Sequence, residues 1–137
     1  MANFGIGTLV AGIRMLGHLS FGVTDLARAI AFYDAALAPL GYIRVWKTDN
    51  AAGYGAPGGN DKLALKSQAI PVVPPGPGFH LALVAQSRTA VDRFHAAALE
   101  FGGTDEGVPG PRPHYGSSYY AAFVRDPDGH KLEAVFQ

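Results

Sequence analysis

Two stretches of equal length decide the fold of this chain: HLSFGVTDLARAIAFYDAAL at residues 18–37 and HLALVAQSRTAVDRFHAAAL at residues 80–99. They align without a gap when the chain is shifted by 62 residues, which places His18 on His80. Each begins with an apolar run that suits a strand and continues into apolar residues at helical spacing. Self-similarity of this kind indicates two copies of one structural unit.

The limits of the two predicted helices are marked by polar residues and glycines. Asp25 and Ser87 precede the helical stripes, and their side-chain oxygens can accept hydrogen bonds from the free amides of a first turn. Gly41 and the pair Gly102–Gly103 follow the stripes, where glycine adopts a left-handed conformation at little cost. We therefore predict one helix in each unit between these limits.

Three short strands are predicted after each helix, separated by turn residues. They cover residues 42–47, 53–56 and 62–66 in the first unit, and 104–107, 118–125 and 131–136 in the second. The predicted fold class is therefore α+β, with two βαβββ units in a single domain over residues 15–137. Unit 1 covers about 15–69 and unit 2 about 79–137, and a stiff linker with four prolines, IPVVPPGPG at 70–78, joins them.

Composition limits the classes of function. The chain has 137 residues, with 11 basic and 11 acidic side chains and no basic stripe that could follow a phosphate backbone, so we expect no nucleic-acid partner. It has no cysteine, which excludes disulfides, thiolate metal sites and a cysteine nucleophile. Any metal would have to be bound by histidines and carboxylates.

Residues 1–14, MANFGIGTLVAGIR, are predicted to be an N-terminal extension of the domain. The segment is apolar, but it has no basic start or clear cleavage site and is too short to span a bilayer. We expect a cytoplasmic protein with no membrane partner.

The two βαβββ units resemble the vicinal oxygen chelate superfamily, which includes glyoxalases, extradiol dioxygenases, fosfomycin-resistance enzymes and bleomycin-binding proteins. The resemblance covers nearly the whole chain, from about residue 15 to residue 137. It is carried by His18 with VTDLARAIAFY after it, by His80 in GFHLAL, and by the closing RDPDGHKLEAVF that contains Glu133. It implies that the paired units form a cup-shaped, partly open mixed β-sheet.

The resemblance also implies metal ligands on the first and fourth strands of each unit, at His18, His80 and Glu133. A single His in an apolar strand is more often a core residue than a ligand. Here two histidines occupy equivalent places in a repeat, and Glu133 would be a costly unpaired charge in an apolar strand. These features favour one shared divalent ion, and Fe, Mn, Ni, Co and Zn all suit such ligands.

The fourth ligand position implied by the resemblance is occupied by Ala64, because KLA at 62–64 aligns with KLE at 131–133. Two imidazoles and one carboxylate would leave coordination positions open for water and for a small substrate that binds through adjacent oxygens. Glyoxalase I chemistry would also need a carboxylate as the base, so Ala64 argues against that specific activity. Lyase or isomerase, dioxygenase and thiol-transferase chemistry stay open.

Further site residues are predicted from the aromatic strands and from the loop GVPGPRPHYGSS at 107–118. Besides Glu133, the candidate catalytic residues are Tyr120 and His114, as acid–base groups. The candidate substrate-binding residues are Trp46, Tyr54, Arg112, Tyr115 and Tyr119. His95 is predicted on the exposed side of its helix and His130 in a solvated turn, neither as a ligand.

Two classes of function are compatible with these features. The first is a metal-dependent enzyme that acts on a small molecule. The alternative is a non-catalytic binding or sequestering protein of the bleomycin-resistance type, which typically lacks the metal triad. Because open sheet edges are commonly covered by a second subunit, we expect a homodimer.

Overall fold

The computed structural model describes residues 14–137, so the predicted extension lies outside the described residues except for Arg14. The elements of unit 1 are β1 (Leu19–Val23), α1 (Leu26–Leu37), a 3-10 turn (Ala38–Leu40), β2 (Ile43–Lys47), β3 (Ala51–Gly55) and β4 (Leu63–Ser67). Those of unit 2 are β5 (Leu81–Val84), α2 (Arg88–Glu100), β6 (Thr104–Pro111), β7 (Tyr120–Arg125) and β8 (Lys131–Phe136).

Each unit forms one four-stranded mixed sheet, and this confirms the predicted α+β class. The strand orders are β1-β4-β3-β2 and β5-β8-β7-β6, with the first strand parallel to the fourth in both. The repeat is visible in the register, because Ser20 pairs with Ala64 as Ala82 pairs with Glu133. The two sheets are thus built on the same plan, and neither is closed.

The predicted helix limits agree with the structure. The Asp25 side chain accepts a hydrogen bond from the Arg28 amide at 3.0 Å, and the Ser87 side chain accepts one from the Ala90 amide at 3.0 Å. Gly41 has a φ of 88°, the left-handed conformation expected after a helix. The capping residues in the sequence therefore predicted the limits of both helices correctly.

Strand β6 is longer than predicted. β6 continues past Gly107 to Pro111, because it keeps pairing with β7 through two register shifts. Bulges of this kind allow a glycine- and proline-rich segment to remain at a sheet edge. Residues 116–119 form a turn, so β7 begins at Tyr120 and not at Ser118.

One apolar core lies between the helices and the sheet faces that they cover. Phe32 and Phe94 are fully buried, and they belong to the same cluster as Leu65 and Leu132 of the fourth strands. Alternation along the strands turns the other side chains to the opposite side of each sheet. We call that side, away from the helices, the open face.

Polar contacts join the two units at the turn between β7 and β8. Asp126 is 4% exposed and accepts a hydrogen bond from the Tyr33 hydroxyl of α1 at 2.5 Å. Asp128 accepts one from the Thr24 amide at 3.0 Å and forms an ion pair with Arg28. These contacts link helix α1 of unit 1 to a turn of unit 2.

The prediction that His130 is solvated is wrong. Its ring is 3% exposed and stacks on Phe21 of β1 with 4.3 Å between ring centroids. Its Nε2 lies 2.9 Å from the Gly22 carbonyl oxygen. The turn in which it lies is packed against the other unit, a long-range contact that the local turn sequence does not reveal.

The prediction that His95 is exposed is also wrong, since only 8% of this residue is accessible. Its Nε2 lies 2.8 Å from Asp105 Oδ1 at the start of β6. The hydrogen bond from His95 is the main reason why the pKa of Asp105 is lowered. His95 therefore links α2 to the sheet of unit 2.

Candidate metal centre

Glu133 is the centre of the candidate site. It lies on β8 between Leu132 and Ala134, which face the helices, so its own side chain lies on the open face. The residue is nevertheless only 2% exposed. A buried carboxylate must be hydrogen-bonded or paired with a cation, because its desolvation costs several kcal/mol.

Two side chains contact the Glu133 carboxylate, one on each oxygen. His80 Nε2 lies 2.8 Å from Oε1, and the Tyr119 hydroxyl donates to Oε2 at 2.5 Å. Burial, together with the hydrogen bond to Glu133, raises the pKa of Tyr119 to about 12. Its hydroxyl is therefore protonated at neutral pH and acts as a donor.

The loop between β6 and β7 holds Tyr119 in place. Arg112 donates to the Gly110 and Val108 carbonyl oxygens at 2.9 and 2.8 Å, and its amide donates to the Tyr119 carbonyl oxygen at 2.8 Å. The His114 ring lies 4.2 Å from that of Tyr115, which in turn lies 5.2 Å from Tyr119. The structure thus brings these four predicted residues close to Glu133, directly or through one another.

His18 lies apart from His80 and Glu133 within the chain. It is exposed and lines an apolar cleft of about 570 Å³, whereas His80 lines a different cleft under the linker. Among residues 14–137, no three acidic, histidine or cysteine side chains are grouped closely enough to hold a metal ion. Within one chain, His80 therefore contacts Glu133, and His18 lies in a separate cleft.

The position in unit 1 that corresponds to Glu133 carries no ligand. The equivalent strand pairing places Ala64 there, and Ala64 is 2% exposed. Its neighbour on β3 is Gly53, and a Cβ atom on Gly53 would lie 2.2 Å from Trp46 Nε1. The Trp46 indole thus lies against the sheet at Gly53, where only a residue without a side chain leaves room for it.

This close approach gives a direct test of the position of Trp46. Gly53→Ala should displace the indole, lower the free energy of unfolding by about 1–3 kcal/mol, and change the emission of the only tryptophan. Gly76→Ala is the matched control, because a Cβ there has no neighbour within 4 Å. Unchanged emission and stability in both variants would show that Trp46 does not contact Gly53.

Comparison with known proteins agrees with the fold and the repeat. The family model described as the Glyoxalase/Bleomycin resistance protein/Dioxygenase superfamily matches residues 15–134. The chain belongs to this superfamily. The resemblance in the sequence is thereby confirmed, and the paired βαβββ units are the fold expected of a member.

Solved structures of the superfamily superpose on this chain. A glyoxalase/bleomycin resistance protein from Albidiferax ferrireducens T118 is 35% identical, with a TM-score of 0.77 over 90% of this chain and 99% of that one. A glyoxalase-related enzyme from Fulvimarina pelagi is 22% identical, with a TM-score of 0.70 over 91% and 89% of the two chains. A fosfomycin resistance protein from Mesorhizobium loti is 19% identical, with a TM-score of 0.63 over 91% and 93%. No protein of curated function matches the chain.

The structure does not bring two of the predicted site residues to the open face. Tyr54 is 1% exposed, and its hydroxyl donates to Asp34 of α1 at 2.8 Å. Tyr120 packs on the helix side of β7 and donates to Asp92 of α2 at 2.7 Å. Both tyrosines therefore anchor helices to sheets and do not contact Glu133.

Two residues on the open face of unit 2 were not predicted. Phe123 pairs with Glu133 across β7 and β8, and its ring lies 5.6 Å from that of His80. Lys131 lies two residues before Glu133 on the same strand, with Nζ 5.4 Å from the centre of the Phe123 ring. The period of two along a strand could have identified Lys131, since residues 131 and 133 share a face.

Within the part of the chain that the structure describes, no helix is both long and apolar enough to cross a bilayer.

Proposed function

We propose that this superfamily member is a divalent-metal-dependent enzyme that acts on a small molecule bound through two adjacent oxygens. The ligands would be His18, His80 and Glu133. The observation that carries the proposal is the buried Glu133 carboxylate, 2% exposed on the open face and in contact with His80. A carboxylate and an imidazole side by side are donors that suit a first-row divalent ion.

The third donor would come from a second copy of the chain. His18 and His80 line separate clefts, so one chain does not complete the site, whereas a homodimer can place His18 of the partner subunit beside His80 and Glu133. Strand β5 supports this arrangement because it is a sheet edge with an exposed Val84, 59% accessible. Apolar sheet edges of this kind are commonly covered by another chain.

The bound ion would act as a Lewis acid that polarises the oxygens of the substrate. The chain's own residues would organise the site around it. Tyr119 holds one oxygen of Glu133 and leaves the other beside His80, so the carboxylate has a defined orientation. Ala64 provides no fourth side-chain ligand, which leaves room for a substrate.

His114 is the remaining candidate for proton transfer, because its loop lies beside Tyr119 and its ring is exposed. The reaction would be of the lyase or isomerase, dioxygenase or thiol-transferase type. The substrate would contact Trp46, Arg112, Tyr115 or Tyr119, the aromatic and cationic side chains near the open faces.

Metal binding tests this proposal directly. Purified protein should bind about one equivalent of Mn(II), Fe(II), Ni(II), Co(II) or Zn(II) per chain, and the ion should raise the melting temperature by an amount that grows with the logarithm of its concentration divided by Kd. Glu133→Gln should abolish binding, whereas Glu100→Gln, a matched change at an exposed residue at the end of α2, should not. Binding below about one tenth of an equivalent, without stabilisation, would favour the non-catalytic binding protein.

A further inference from the structure

The His80 cleft lies under the linker on the open face of unit 2. It has a volume of about 400 Å³ and is lined by residues 75–78 of the linker together with Phe79, His80, Arg125 and Lys131. Its side chains from the sheet are thus an imidazole, a guanidinium and an ammonium. Of the residues from 14 onward, no acidic side chain lines it.

The nearby carboxylates are already engaged by other groups. Both oxygens of Glu133 have partners, in His80 and Tyr119. Glu106 lies 3.4 Å from Arg125 Nε. Among residues 14–137, Lys131 has no acidic partner within ion-pair distance, and its ammonium group instead lies over the Phe123 ring.

A second cation faces the same ring. The guanidinium of Arg112 lies 5.7 Å from the centre of Phe123, and the edge of His80 contacts that ring as well. Three nitrogen-bearing groups therefore surround one aromatic side chain next to Glu133. Of these groups, the Lys131 ammonium and the Arg112 guanidinium are cations, and two cations beside a cleft attract an anion from solution.

We propose that the His80 cleft binds an oxyanion group, a carboxylate or a phosphate, with Lys131 as the main charged contact. The inference rests on the proposed function for its catalytic meaning: the substrate would be a small anion whose charged group lies beside the oxygens that bind the metal. His80 connects the two sites, because it lines the cleft and contacts Glu133.

The test uses the whole protein after chelation and dialysis, so that no metal contributes to anion binding. Inorganic phosphate and glycolate are titrated separately at constant ionic strength, and amide NMR shifts are followed at Gly78, His80 and Lys131. Both probes, or one of them, should shift these amides and saturate. The probe that saturates at the lower concentration identifies the preferred anion as phosphate or carboxylate.

Lysine variants distinguish anion binding in the His80 cleft from nonspecific attraction of anions to any lysine on the surface. Lys131→Met should weaken binding about tenfold, and Lys131→Arg should retain it to within about threefold because the charge is kept. Lys47→Met is the matched control, since Lys47 is exposed on β2 and does not line the cleft. Equal effects of Lys131→Met and Lys47→Met, or no saturable shift with either probe, would overturn the inference.

The outcome is distinguishable from a failure of the proposed function. If the protein binds anions in the cleft but no divalent ion, the inference holds and the metal-dependent enzyme is excluded. If it binds a divalent ion but neither probe, the metal site holds and the anionic substrate class is rejected.

Discussion

Chains carrying His18→Ala and chains carrying Glu133→Gln should each bind no metal alone, but should recover sites when they are mixed. If the third ligand is His18 of the partner subunit, a mixed dimer has one site with both changes and one with neither. Random pairing gives about half mixed dimers, so about one quarter of the wild-type binding capacity should return. If each chain formed its own site, mixing would restore nothing.

The measurement is metal content after the two variants are unfolded together, refolded and dialysed against Mn(II). A mixture of His80→Ala with Glu133→Gln is the control, because His80 and Glu133 are 2.8 Å apart in the same chain. Every site in that mixed dimer lacks one of the two residues, so no capacity should return. Recovery in the control, or none in the first mixture, would contradict a site shared between two subunits.

The fold could be predicted because its signals are local and occur twice. The repeat of 62 residues, the caps at Asp25 and Ser87 and the turns between strands all act within a few residues. The same repeat predicted that Ala64 occupies the position in unit 1 that is equivalent to Glu133 in unit 2. The strand pairing agrees with this prediction. Alignment of the two copies thus predicted a tertiary relation from sequence alone.

The side of the sheet on which each tyrosine lies was not predicted, because it depends on the strand register. Tyr119 and Tyr120 are neighbours in sequence, yet one contacts Glu133 and the other contacts Asp92 of a helix. A shift by one residue exchanges the two faces of a strand. The sequence identified the aromatic strands but could not decide which side each ring occupies.

The separation of His18 from His80 also could not be predicted from the sequence. It depends on how unit 1 packs against unit 2, and that packing involves contacts between distant residues such as Tyr33 with Asp126 and His130 with Gly22. Each of these residues lies in a segment whose local pattern indicates a helix, a strand or a turn. Nothing in that pattern shows that the two segments meet.

Asp126→Ala should produce the largest loss of stability among the substitutions outside the core. The carboxylate accepts hydrogen bonds from the Tyr33 hydroxyl and from the amides of Asp128 and His130, and it is buried. Its removal leaves these donors unpaired at the contact between the units, which should cost about 3 kcal/mol of unfolding free energy. Urea denaturation at a fixed protein concentration measures this value.

Two controls separate the hydrogen bonds from the charge. Asp126→Asn keeps an oxygen for the two amides and should cost only about 1 kcal/mol. Asp49→Ala, an exposed change in the turn after β2, should stay within about 0.5 kcal/mol of wild type. A loss of the same size in Asp126→Ala and Asp49→Ala would show that the link between the units does not stabilise the fold.

The pH dependence of stability gives an independent check on the same carboxylate. Burial raises the pKa of Asp126 from its ordinary value of 3.8, against the hydrogen bond from Tyr33 and the charge of His130, which lower it. The folded protein therefore holds a proton on Asp126 at a pH where the unfolded chain has lost it.

The stability that this group contributes is complete below the unfolded pKa and is lost as the pH rises through the folded pKa. Wild type should thus gain stability relative to Asp126→Asn as the pH falls from neutral toward the ordinary pKa of 3.8. A constant difference across that range would mean that Asp126 has the same pKa in the folded and unfolded chains, which would contradict the raised pKa.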